Sequence, residues 1–143
     1  IKAMIAQGGG GAIVNVCSSA GIRTYPFQSG YNMAKHAQCQ VTQVVALEFA
    51  RQKIRANAIC PTYAKTSMSR RGDDQPGALD RMSQIIPLAD YAEIHDIADL
   101  AVFLASDESR FITGSLIPVD GGEVLGHHVS RFAPQEWMER QGR

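Results

Sequence analysis

A parallel α/β fold is predicted by three features of the sequence. A short, mostly apolar and β-branched run, Ala12–Cys17, has the length and bounding punctuation of a strand buried on both faces, and Ile54–Cys60 alternates well enough for a second strand. Between them lies a stretch with helical character from about Tyr31 to Gln52, and a second helical stretch, Glu93–Ala105, precedes a third strand at Ser115–Val119. Strands alternating with long helices make right-handed βαβ units and a parallel sheet. Ligands of such sheets bind beyond the carboxyl ends of the strands, which draws attention to Ser18-Ser19 and to Pro61-Thr62-Tyr63.

The elements can be justified in order. Ile1–Gln7 reads as the last turns of a helix that stops at Gly8–Gly11, and because the chain opens without a methionine, a piece of a longer chain is the expectation. Ser18-Ser19-Ala20-Gly21 ends the first strand, and a loop with Pro26 and Gly30 leads to the helix, whose Ala34, Val41, Val44, Val45 and Ala50 are available for packing. Ile54–Cys60 alternates as a strand, and Pro61 closes it because proline cannot continue a central ladder. The chain then turns polar from Thr62 to about Gly77, a loop or lid that includes Arg70-Arg71, read as a solvated pair. The third strand stops at Asp120-Gly121-Gly122, and its Pro118 marks an edge or a strand end.

Composition narrows the function classes. With 143 residues, 45% hydrophobic and 20% charged, the chain is in the range of a single soluble domain. Lys+Arg and Asp+Glu balance at 14 each, so no net field favours nucleic acid or an anionic membrane. No apolar run has the length of a membrane span and no leader pattern is visible, which makes the cytoplasm the expected compartment. Cys17, Cys39 and Cys60 are odd in number and lack C-x-x-C spacing, so neither a disulfide framework nor a zinc site is expected. Cys17 and Cys60, at two strand ends, read as small packing residues. His127-His128 are adjacent and cannot easily converge on one ion, so no metal site is expected there either.

The opening of the long helix carries chemistry. Tyr31 and Lys35 stand at i and i+4, on one helix face, which sets a weak acid beside a cation. A phenol ordinarily titrates near ~10, and a nearby positive charge favours its ionised form. Alone, Tyr-x-x-x-Lys is a weak signal. It is joined here by Ser18 at the end of Asn15-Val16-Cys17-Ser18-Ser19-Ala20-Gly21, thirteen positions before Tyr31, then by Asn57-Ala58-Ile59-Cys60-Pro61 and Thr66. Further on come Phe103-Leu104-Ala105-Ser106-Asp107-Glu108, Ile112-Thr113-Gly114 and Val119-Asp120-Gly121-Gly122. This ordered set, from Ile1 to Gly122, resembles the C-terminal half of the short-chain dehydrogenase/reductase family.

The resemblance implies the C-terminal half of a Rossmann-type, doubly wound parallel sheet and NAD- or NADP-dependent interconversion of a small alcohol and a carbonyl. By position, Ser18, Tyr31 and Lys35 match the family's catalytic serine, tyrosine and lysine. Tyr31 would exchange the proton of the substrate hydroxyl, Ser18 would hold the same oxygen, and Lys35 would also grip the nicotinamide ribose. Tyr31, Lys35, Pro61, Thr62, Ala64 and Thr66 match positions that hold the cofactor, while Ser18, Ser19, Phe27 and Tyr63 are expected at the substrate.

Two departures stand out: Thr62 replaces the family's glycine after Pro61, losing its backbone freedom, and Pro87-Leu88-Ala89-Asp90 ends in a charge reversal. The family's phosphate loop precedes the residues given, and Gly8–Gly11 is no substitute because it precedes a strand. A second reading is therefore a non-catalytic binding or regulatory protein on the same scaffold. Residues 1–122 are read as the half-domain and 123–143 as a tail with two open readings, one docking on a neighbouring subunit or over the pocket through Phe132, Trp137 and Met138, the other a frayed terminus. The small residues of the Tyr31 helix match the family's usual dimer face, and a homodimer or homotetramer is expected.

Overall fold

The computed structural model describes residues 1–66, 77, 85–126 and 139–140. Arg70-Arg71, His127-His128, Phe132, Trp137 and Met138 lie outside the described residues. A short helix α1 (Lys2–Gln7) leads to strand β1 (Gly11–Val16), helix α2 (Ser29–Glu48), strand β2 (Ile54–Pro61), helix α3 (Ile94–Ala105) and strand β3 (Leu116–Val119). Each strand lies within a residue or two of its predicted span. Among the described residues the three strands form one sheet in the order β1-β2-β3, parallel throughout. The register sets Val16 beside Ile59 and Pro61 beside Val119, so the carboxyl ends of all three strands come out on one edge.

The glycine run between α1 and β1 is a turn. Gly8, Gly9 and Gly10 all have positive φ, and a Cβ on Gly10 would stand 2.3 Å from the Lys53 carbonyl oxygen, so a side chain is excluded by conformation and by space. β2 does not alternate as its sequence suggests: it is buried from Ala56 to Pro61 because β1 and β3 flank it and helices cover it. Pro61 is the last residue of the strand, and the next residue still joins the ladder through Thr62 N–H donating to the Val119 carbonyl at 3.2 Å. β3 borders β2 alone among the described strands, the setting in which Pro118 is tolerated.

Helix α2 begins two residues before Tyr31 and yields to a 3₁₀ turn, Ala50–Gln52, before Lys53 enters left-handed conformation. Its packed face is also not the apolar one. Asn32, Cys39, Thr42 and Ala46 are buried, whereas Val41, Val44 and Leu47 are exposed. Polar groups on that buried face are paired: Asn15 Nδ2 donates to Thr42 Oγ1 at 2.9 Å, and Thr42 Oγ1 donates to the Gln38 carbonyl at 2.9 Å. Asn32 Nδ2 donates to the Tyr25 carbonyl at 2.6 Å, which pins the loop to the first turn of the helix.

On the other side of β2, Arg55 and Asn57 hold the segment that joins α3 to β3. Arg55 donates through Nη1 to the Leu104 carbonyl and through Nη2 to the Ser106 carbonyl, each at 2.9 Å, which satisfies open groups at the end of α3. Buried Asn57 donates to the Ile112 carbonyl at 2.9 Å and accepts from Ser115 N–H at 3.0 Å. Asn57→Leu keeps the volume but leaves Ser115 N–H unpaired and the Ile112 carbonyl with only its long 3.5 Å bond from Arg55 Nη1. Its expected cost is about 1–3 kcal/mol, the usual range for one buried group orphaned. Urea unfolding of the variant against the parent chain measures it.

Candidate active site

The end of β1 sets the first group. Ser18 is extended and caps the 3₁₀ turn Ser19–Gly21, with its Oγ accepting from Ala20 N–H at 3.1 Å. With that acceptor position used, the hydroxyl's own proton is left to donate outward. Gly21 makes the turn possible, because a Cβ there would meet Cys39 Sγ at 2.6 Å and the Lys35 carbonyl oxygen at 2.8 Å.

The second and third groups come from α2. Lys35 Nζ stands 5.7 Å from the centroid of the Tyr31 ring, a cation over an aromatic face. The ammonium also donates to Gln38 Oε1 at 3.1 Å, so two partners on the same helix fix its direction.

A cavity of about 290 Å³ opens at this edge of the sheet, lined by Ser18, Ser19, Tyr31, Thr62, Tyr63, Ala64 and Thr66 among others. These are seven of the ten residues singled out from the sequence. Lys35 stands behind Tyr31 and does not line the cavity; Pro61 is buried in β2. Phe27 is fully exposed, at positive φ, and does not line it either. A larger hollow of about 630 Å³ at the opposite end of the sheet, lined in part by Gly11, Ile54 and Arg55, brings together no comparable set of hydroxyls.

Four wall residues had no assigned part in the sequence reading: Ala20, Tyr25, Gln28 and Glu123. Glu123 is fully buried in the 3₁₀ turn Glu123–Leu125, which Asp120 organises by accepting from Gly122 N–H at 2.9 Å and from Val124 N–H at 2.7 Å. Thr62 Oγ1 donates to Glu123 Oε2, and Arg23 Nη1 donates to the Glu123 carbonyl at 2.7 Å. Glu123 Oε1 is buried without a hydrogen-bond partner. Thr62 is not among the described residues of positive φ, so the glycine expected at its position is not needed for conformation; its hydroxyl serves the carboxylate instead. The signal for this pair was the departure at Thr62 itself, while its partner lies 61 residues on.

The cavity wall beyond Thr62 is tied down. Ala92 N–H donates to the Tyr63 carbonyl and Lys65 N–H to the Ala92 carbonyl, both at 3.0 Å, and the Tyr63 ring meets Tyr91 edge-on at 6.4 Å. Lys65 pairs with Glu93 at 2.5 Å, and that contact raises its pKa above the ordinary lysine value.

The three cysteines, scattered in the sequence and with Cys17 and Cys60 expected to be small packing residues, converge. Cys17 ends β1, Cys60 lies in β2 and Cys39 faces them from α2, all buried and reduced. Cys17 Sγ donates to the Lys35 carbonyl at 3.2 Å. Desolvation pushes the Cys60 thiol up to about 11 and the Cys39 thiol higher, so both remain protonated.

A parallel sheet with hydroxyls, a phenol and a lysine gathered at the carboxyl ends of its strands defines an α/β protein of the nucleotide-binding architecture. Comparison with known proteins agrees. Residues 1–123 match a family model described as enoyl-(acyl carrier protein) reductase. L-xylulose reductase of Mesocricetus auratus is 43% identical over 124 residues, which are 87% of this chain and 51% of that protein. A short-chain type dehydrogenase/reductase from Mycobacterium ulcerans superimposes with TM-score 0.82 at 30% identity, covering 91% of this chain and 48% of the other. For gluconate 5-dehydrogenase from Burkholderia cenocepacia, in complex with NADP and tartrate, the TM-score is 0.81 at 30% identity, with 87% and 49% covered. This chain belongs to the short-chain dehydrogenase/reductase family. It spans about half the length of the curated relatives it matches. Among the described residues, no helix is long and apolar enough to cross a membrane.

Burial raises the Tyr25 phenol to about 12, opposed by its hydrogen bond to Ser19 Oγ at 3.1 Å and reinforced by the Glu123 carboxylate. Tyr25 is therefore a neutral donor throughout the physiological range. Between the ordinary tyrosine value near ~10 and about 12, the unfolded chain gives up this proton before the folded chain does, so stability present below that window is lost across it. Tyr25→Phe should weaken the fall in melting temperature over that alkaline interval relative to the parent chain, as a thermal melt series in pH measures directly.

Proposed function

We propose that this chain supplies the reacting centre of an NAD(H)- or NADP(H)-dependent oxidoreductase that interconverts a small-molecule alcohol and a carbonyl. The observation that carries the reading is the Lys35 ammonium 5.7 Å from the centre of the Tyr31 ring, with Tyr31 and Ser18 in the wall of one cavity. The donor set suits a nicotinamide: Thr62, Ala64 and Thr66 line the same cavity as Tyr31, and Pro61 fixes the start of that segment. Thr66 and the backbone near Ala64 would hold the carboxamide, and Lys35, turned from Gln38, would hold the ribose hydroxyls. When bound, the nicotinamide supplies the hydride chemistry that no side chain can perform.

The chain's own groups move the proton. In the oxidising direction the Tyr31 oxygen takes the proton of the substrate hydroxyl, and in the reducing direction it returns it. Ser18, its Oγ already accepting from Ala20 N–H, donates to the same substrate oxygen and holds it against Tyr31. Lys35 stabilises the negative charge that develops on the phenol oxygen, an effect strengthened where water is excluded. Ser19 and Tyr63 form the substrate side of the wall.

A second copy of the chain fits α2. Met33, Val41, Val44 and Leu47 are exposed on the helix, and a homodimer or homotetramer would cover them. The cytoplasm is the compartment that suits three reduced cysteines.

In the full-length protein, Tyr31→Phe is expected to lower turnover by about 10²–10⁴-fold, the usual worth of a positioned acid/base. Dinucleotide affinity and melting temperature should stay near their parent values. Steady-state rates on secondary alcohols, with dinucleotide binding followed by fluorescence, test this. A Tyr31→Phe variant that turns over at the parent rate excludes the mechanism, and absence of any dinucleotide binding by the parent protein favours a non-catalytic scaffold.

A further inference from the structure

The cysteine cluster has geometry that packing alone does not require. Every cysteine of the chain belongs to it. The three sulfurs lie within 4.8 Å of one another, Cys39 Sγ being 3.2 Å from Cys17 Sγ and 3.9 Å from Cys60 Sγ. Three sulfurs bonded at about 2.3 Å to one planar central atom stand about 4.0 Å apart, and closer if the centre is pyramidal. The cluster is thus already spaced for a three-coordinate centre.

Charge decides which centre. Three thiolates leave a net charge of minus two around a monovalent cation, minus one around a divalent cation and none around a trivalent one. The polar contacts of these thiols are one another, the Lys35 carbonyl and the Ser18 backbone N–H, with no cationic side chain among them. Ala58 and Leu116 pack against the same cluster. An uncompensated charge in such surroundings is costly, so a neutral adduct is strongly favoured over a charged one.

We propose that Cys17, Cys39 and Cys60 form a capture site for trivalent arsenic, taken up as neutral arsenious acid, As(OH)₃. Three S–H bonds and three As–O bonds break, three As–S bonds form, and the three thiol protons leave with the three hydroxides as water. Arsenic stays trivalent and sulfur stays at the thiolate level, so no oxidant or reductant takes part. Capture also reaches the site above. Cys17 directly precedes Ser18, and its thiol must turn from the Lys35 carbonyl to bind, so arsenic would join the end of β1 to α2 between Ser18 and Lys35.

The test uses the reduced full-length protein, sodium arsenite as the probe and anaerobic buffer. Native mass spectrometry should find one arsenic per chain with three hydrogens lost, and arsenic K-edge absorption should find three sulfur neighbours and no oxygen. Cys17→Ser, Cys39→Ser and Cys60→Ser should each lower affinity by more than about 100-fold, beyond the 10–100-fold that loss of an outer-shell partner costs. Melting curves identify any variant that fails to fold, and the absorption measurement on the parent chain stands without the variants. Three results overturn the proposal: no uptake at arsenite concentrations that saturate a dithiol control, an adduct with two sulfurs and a retained oxygen, or Cd²⁺ displacing arsenite at equal concentration.

Discussion

The rotation of α2 about its own axis is the constraint on which the site depends. One residue of slip turns a helix by about 100°, which would carry Tyr31 from the cavity wall onto a different face. Asn32, Cys39, Thr42 and Ala46 prevent this by packing inward, and three of them are matched to particular partners rather than to a generic apolar surface. Asn32 reads the Tyr25 backbone, Thr42 reads Asn15, and Cys39 meets Cys17. Hydrogen bonds are directional, so a buried face built from them specifies rotation more sharply than an aliphatic face would.

That same economy of small residues lets α2 approach the strand ends closely. Cys17, Cys39 and Gly21 are compact enough for the helix, the end of β1 and the following turn to meet, and a single Cβ at Gly21 would collide with both thiols and with the Lys35 carbonyl. The close approach brings Ser18 and Tyr31 into one wall, and it brings three thiols together beneath them. Alignment of the candidate site and the sulfur cluster are therefore two consequences of one packing arrangement. On the far wall, the Thr62–Glu123 pair spans the end of β2 and the turn after β3, which are joined by the ladder below them.

Much of this was legible in the sequence where the relevant distance along the chain is short. The i, i+4 spacing of Tyr31 and Lys35 is a property of any helix, and strand-end punctuation located Ser18 and Pro61. Strand spans and their parallel order followed from the same local patterns. The packed face of α2 was not legible, because apolarity pointed to Val41 and Val44 while the sheet receives Thr42 and Cys39. Hydrophobicity ranks residues by transfer to an apolar medium and is blind to a buried hydroxyl that has a partner. Glu123, Tyr25 and the three cysteines escaped for another reason: their meeting depends on register between strands and on loops, which residue spacing does not encode. Cys17 and Cys60 end neighbouring parallel strands with Cys39 on the crossover between them, a βαβ consequence that became visible only once the register was known.

The central claim is that Lys35 acts on the reaction through Tyr31, and a double-mutant cycle in the full-length protein measures it directly. Turnover is compared at saturating dinucleotide for the parent, Lys35→Met, Tyr31→Phe and the combined variant, so that any loss of ribose binding cancels. The account predicts strong non-additivity: removing the ammonium slows the parent but changes little once the phenol oxygen is gone. Independent, additive losses would contradict it, because each side chain would then contribute without the other.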